Sequence, residues 1–122
     1  MKTTKKHYTL SPCTNRPNCV SSQSLDTTHY IKPIRFPGSP ADAWVVLKFS
    51  LLALPRTRIV KETGWYLHAE ARSLFFGFID DIEFLMDVKS GTIHLRSGAR
   101  IGYSDLGVNR KRIEQIREAF GS

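Results

Sequence analysis

The sequence predicts an α+β fold in which two helices pack on one face of a four-stranded antiparallel sheet. Three observations predict it. A serine–proline pair opens a strongly apolar segment at residue 39. Four segments with two-residue periodicity follow between residues 57 and 100, separated by short turns. A last stretch, 108–120, returns to helical spacing. The 122 residues suffice for one hydrophobic core and not for two, so the chain reads as a single domain, with an irregular wrapping arm at 1–38 and the α+β core at 39–122.

Pro12, Pro17, Pro33, Pro37 and Gly38 interrupt the arm before any period establishes itself. A long irregular arm of this kind wraps a surface or serves function, and Leu10, Val20, Ile31, Ile34 and Phe36 are its apolar pegs. Ser39 suits an N-cap, Pro40 the first helical position and Asp42 the first turn, where the helix dipole favours an acid. That helix should run to about Leu54, before Pro55, and its Trp44, Val45, Leu47, Leu51, Leu52 and Leu54 predict a mostly buried core helix. The strands are expected over 57–62, 65–74, 77–88 and 92–100. Trp65, Leu67, Ala69 and Ala71 share one face, as do Ile93, Leu95, Ser97 and Ala99. The small residues among them predict a helix lying close above. The closing helix carries Val108, Ile113, Ile116 and Phe120 on one stripe, with Gly121 as its C-terminal cap.

Charge is unevenly spread. Residues 1–61 hold ten Lys and Arg against two acids and residues 62–122 hold eight against nine, giving the net +7 of the whole chain. This balance welcomes an acidic partner, but no nucleic-acid motif accompanies it, and the lysines are scattered. The longest apolar run, around Trp44 to Leu54, is broken by Lys48 and Ser50 and is too short to span a bilayer. Residues 1–10 lack the apolar stretch of a signal peptide, so the chain as written reads as soluble and cytoplasmic.

Few residues offer chemistry. Cys13 and Cys19 are spaced more widely than the CxxC of redox and zinc sites. A disulfide and two free thiols both remain open, and a disulfide would imply an oxidising compartment. Zinc would need two further ligands, and the arm offers only His7 and His29, so no metal or other cofactor is expected. Cys19 with His29 is a conceivable nucleophile and base, yet nothing beyond Asp26 orients the histidine and no oxyanion hole is evident. Asp80 stands on the face of Phe78, Ile82, Phe84 and Met86, where an apolar residue is expected. A carboxylate there must be paired, with Arg100 the natural partner, unless a bulge or a strand start near Phe78-Ile79 places it at an edge. On the opposite face Glu70, Arg72, Asp81, Glu83, His94 and Arg96 alternate in sign, as cross-strand ion pairs would. The corner from Ser97 to Gly107 leads from a strand into a helix, flanked by Arg100 and Arg110. It suits either an anion at the helix N-terminus or a structural corner capped by Ser104 or Asp105.

Three stretches of the chain are similar to a known family. Pro17-Asn18-Cys19-Val20-Ser21-Ser22, with Asp26, His29 and Pro33 after it, resembles the opening motif of the family called domain of unknown function 1499 (DUF1499). Gly77-Phe78-Ile79-Asp80-Asp81 resembles its central strand. Arg96-Ser97, Arg100, and the run from Gly102 through Asp105, Asn109 and Arg110 to Ile113 resemble its closing signature. The likeness spans about residues 10 to 118. It implies no activity and leaves an association with the cell envelope open. It also groups Cys19, Asp80, Asp81, Arg96, Arg100, Asp105, Asn109 and Arg110, which are expected to converge at one end of the sheet.

The functional expectation is a small binding or accessory domain, non-enzymatic on balance, with a polar or anionic ligand held between the cysteine arm and the arginine corner. The alternative is a structural or protein-interaction domain in which the same residues form a buried polar network. An enzyme using Cys19 is the third reading.

Overall fold

A computed structural model describes residues 9–102 and 105–121. His7, the zinc candidate, and Ser104, the alternative cap, lie outside these residues. The chain folds as α+β with two helices and a six-stranded antiparallel sheet. In chain order the elements are β1 (Cys19–Ser21), β2 (Ile34–Arg35), α1 (Pro40–Leu52), β3 (Thr57–Glu62), β4 (Tyr66–Arg72), β5 (Ile79–Asp87), β6 (Thr92–Ala99) and α2 (Val108–Phe120).

The four expected strands are β3 to β6, joined as a meander; the count of four is corrected by β1 and β2. Both come from the arm and pair antiparallel with the free edge of β6, Cys19 opposite Gly98 and Ile34 opposite Ile93. Without them β6 would present a row of unpaired amides and carbonyls. Strands of three and two residues are too short to display an alternating pattern, which is why the arm reads as irregular. Between them the chain leaves the sheet at Ser22, whose hydroxyl accepts from the Leu95 amide at 2.9 Å.

Local chemistry sets the ends of the helices. Ser39 Oγ accepts the Asp42 amide at 3.0 Å, with Pro40 opening α1. Gly121 closes α2 with a left-handed φ of 92° and donates to the carbonyls of Arg117 and Glu118. α1 ends at Leu52, two residues before the expected stop. Only Ala43, Trp44, Leu47, Ser50 and Leu51 are buried; Val45, Val46, Phe49 and Leu52 face outward. The expectation of a mostly buried helix is therefore corrected: one of its faces is covered.

Leu47, Leu51, Ile113 and Ile116 from the helices meet Leu67, Ala69, Ala71, Ile82, Phe84, Ile93 and Leu95 from the sheet, and Val20, Ile31 and Ile34 from the arm. The arm thus contributes to the one core. Trp65, expected on the inward face, stands in the β3–β4 turn and is 45% exposed. No helix among the described residues is long and apolar enough to cross a membrane.

Candidate functional site

β6 has two faces near its C-terminal end, and the residues singled out from the sequence are divided between them. On the face toward the helices, Ser97 lies beneath the first turn of α2. There Asn109 is wholly buried and its side-chain amide is fully engaged. Oδ1 accepts from Ser97 Oγ at 2.6 Å and from Arg112 at 2.8 Å. Nδ2 donates to the carbonyl of Asn18 at 3.2 Å and to Asp105 Oδ2 at 2.7 Å. Asp105 also accepts the amides of Gly107 at 2.9 Å and Asn109 at 3.0 Å. It therefore serves the helix start that the Gly107 N-cap, which has no side chain, leaves unserved. Burial pushes the Asp105 carboxyl up, but the bonds from Asn109 and Gly107 outweigh it and hold the group below its ordinary value.

Asp80 lies one residue inside the start of β5, and on this face its partner is Arg112, at 2.9 Å, with both side chains 15% exposed. This corrects the expected pairing with Arg100. The backbone alternation places Asp80 and Arg100 on different sides of the sheet, so they cannot meet. Arg112 was missing from the sequence reading. Its signal was the helical spacing of 109, 112, 113 and 116, which lines those four positions up on one stripe of α2.

The outward face carries a ladder of charges. Arg100 donates to Asp81 through Nε at 3.0 Å and through NH2 at 2.6 Å, and NH2 also reaches Glu70 at 2.9 Å. His68 Nε2 lies 2.8 Å from Asp81 Oδ1. Burial acts to raise Asp81, yet the bonds from Arg100 and His68 leave it lowered. Glu70 is lowered chiefly by its bond from Arg100. The Nε and NH2 donors of Arg100, which an anion at the corner would use, are therefore engaged by carboxylates. Arg96 lies nearby, opposite Ser21 of β1, and its Nε is buried with no partner among the described residues.

Cys13 and Cys19 are joined by a disulfide, with Cα atoms 5.7 Å apart. The bridge lies on the outward face over Gly98. A Cβ at that position would stand 2.9 Å from Cys19 Sγ and 3.2 Å from its Cβ, so the strand needs glycine where the bridge crosses it. A bonded Cys19 has no thiol with which to attack a substrate. His29 is equally committed: Nδ1 lies 2.7 Å from Asp26 Oδ2 and Nε2 2.9 Å from the Arg16 carbonyl. With an acceptor at each nitrogen the imidazolium is favoured, and the Arg16 carbonyl, then Asp26, raises the His29 pKa. Neither nitrogen is free to act as a base.

Arg110, the other flank of the corner, donates to the carbonyls of Tyr30 at 3.0 Å and Thr28 at 3.2 Å. Arg117 grips Pro33 and Lys32 in the same way. α2 thus holds the arm by its backbone at two places. Asn18 adds a third tie, its carbonyl accepting from Ala99 at 2.9 Å and its side chain donating to Gly102 at 2.8 Å. Asn18 and Gly98 were other omissions; their roles depend on backbone proximity, which a sequence does not display. Among the described residues no group of three His, Cys, Asp or Glu side chains is placed to hold a metal ion.

These features define a small α+β domain whose N-terminal arm is sewn to its sheet by a disulfide and a buried polar knot. The chain belongs to the DUF1499 family: the family model, described as a protein of unknown function, matches residues 9–120. No curated protein matches it.

Proposed function

We propose that this domain is a non-enzymatic interaction or accessory module, and that its family-signature residues form a structural knot. One observation carries the reading. Asn109, at the centre of the signature, spends both acceptor positions and both amide hydrogens on Ser97, Arg112, Asn18 and Asp105. A ligand would have to displace bonds already made around a buried side chain, where a lost partner is costly. Arg100 supports the same reading, since Asp81 and Glu70 engage its Nε and NH2 donors. The bridged Cys13 and Cys19 favour work in an oxidising compartment over the cytoplasm.

The test is a thermal-shift screen of the full chain against anionic metabolites, run beside Arg100→Ala. The expected result is that no compound raises the wild-type midpoint, while Arg100→Ala lowers it in every condition by the same amount. A compound that stabilises the wild type by several degrees and leaves Arg100→Ala unmoved would restore the anion-site reading.

A further inference from the structure

We propose that the β4–β5 turn is a membrane-docking tip that inserts into the interface of an anionic phospholipid bilayer. The sequence between the two strands is Ser73-Leu74-Phe75-Phe76-Gly77-Phe78, and its apolar side chains point away from the core. Phe75 is 85% and Phe76 77% exposed, and Leu74 and Phe78 are more than half exposed. Four large apolar side chains within five residues form an apolar projection far from ordinary for a water-facing turn, where scattered single residues are the norm.

The turn is held out rather than collapsed. Ser73 and Phe78 close its base, the Ser73 amide donating to the Phe78 carbonyl at 2.9 Å and the Phe78 amide to Ser73 Oγ at 2.9 Å. Gly77 takes a left-handed φ of 67°, a conformation that costs a side-chain-bearing residue and suits glycine. Phe76 and Phe78 stack with ring centroids 5.4 Å apart, which fixes two rings side by side on the tip.

Charge identifies the occupant. Arg56 and Arg72 stand at the base of the turn and bond backbone carbonyls: Arg56 Nε donates to the Arg72 carbonyl at 3.1 Å and Arg72 reaches the Gly77 carbonyl. Neither forms an ion pair among the described residues. The nearby acids Glu70, Asp80 and Asp81 are already taken by Arg100 and Arg112. A cationic collar around aromatic side chains matches the layering of an anionic bilayer, with phosphates outermost and acyl chains beneath. The tip is convex, and a fluid interface accepts a convex apolar projection without a preformed pocket.

This inference goes beyond the proposed function and does not depend on the polar knot. Its test is co-sedimentation of the full chain with vesicles of phosphatidylcholine containing about 30% phosphatidylglycerol, and with phosphatidylcholine alone. Binding should be confined to the anionic vesicles and weaken as salt is raised. Phe75→Ser/Phe76→Ser should weaken it about tenfold or more without moving the thermal midpoint, because both side chains are exposed in the folded domain. Arg72→Gln should weaken it less, and should make the remaining binding less sensitive to salt. The proposal is overturned if the chain stays in the supernatant with both vesicle types, or if the double-serine variant binds as the wild type does. It is equally overturned if the phenylalanines instead drive concentration-dependent dimerisation in ultracentrifugation with no vesicle binding, which would make a second copy the occupant.

Discussion

Asn109→Ala should destabilise the domain by about 3 kcal/mol, one of the largest effects of any single polar substitution in the chain. The side chain is fully buried and makes four hydrogen bonds. Truncation takes away the acceptor of the Ser97 hydroxyl beneath α2 and removes partners from the Asn18 carbonyl, Asp105 and Arg112. These groups lie in a volume that alanine cannot fill, so water must enter or the helix must shift. Both outcomes cost free energy. Urea unfolding followed by circular dichroism gives the number directly. A loss below about 1 kcal/mol would mean that the groups find other partners and that the knot contributes little.

Arg112→Met should cost about 2 to 3 kcal/mol, because it leaves the Asp80 carboxylate largely buried without a counter-charge and takes a donor from Asn109. The side chains of the pair are 15% exposed each, so solvent softens the penalty without removing it. Replacing both partners, as Asp80→Leu/Arg112→Met, should recover part of the loss. A largely buried ion pair exchanged for apolar groups of similar size leaves no orphaned charge, although Asn109 still lacks its donor. The informative quantity is the coupling in the double-mutant cycle. If the two single losses simply add, Asp80 and Arg112 are not partners in solution.

How legible this molecule was in its sequence depended on the length scale of each feature. The cap of Ser39 on Asp42, the alternation of β4 and β6, and the glycine after α2 are local, and each could be placed from a few neighbouring residues. The two arm strands could not, since β1 and β2 exist because β6 has an edge to cover. Which residues would be polar and clustered was also legible, through Asp80 on an apolar face and the concentration of arginines near the corner. Which would pair was not. Asp80 and Asp81 are adjacent in the chain and point to opposite sides of the sheet, so one meets Arg112 on a helix and the other meets Arg100 on the outer face. Choosing between two arginines required knowing where α2 crosses β6. Likewise, the apolar residues of α1 are spread around the helix, and such a spread does not reveal which face will be covered.

The tie between the arm and the last helix is the centre of the account. The disulfide fixes Cys19 over Gly98, and the adjacent Asn18 carbonyl accepts from both Ala99 and Asn109. If bridge and knot hold the same segment in the same place, releasing one should lower what the other contributes. The measurement that tests this most directly is the coupling free energy between Asn109→Ala and the paired substitution Cys13→Ser/Cys19→Ser, from urea unfolding of the four proteins in the cycle. The account predicts that the combined variant loses less than the sum of the separate losses, by about 1 kcal/mol or more. Additivity within about 0.5 kcal/mol would contradict it, and would make the bridge and the knot independent features of the fold.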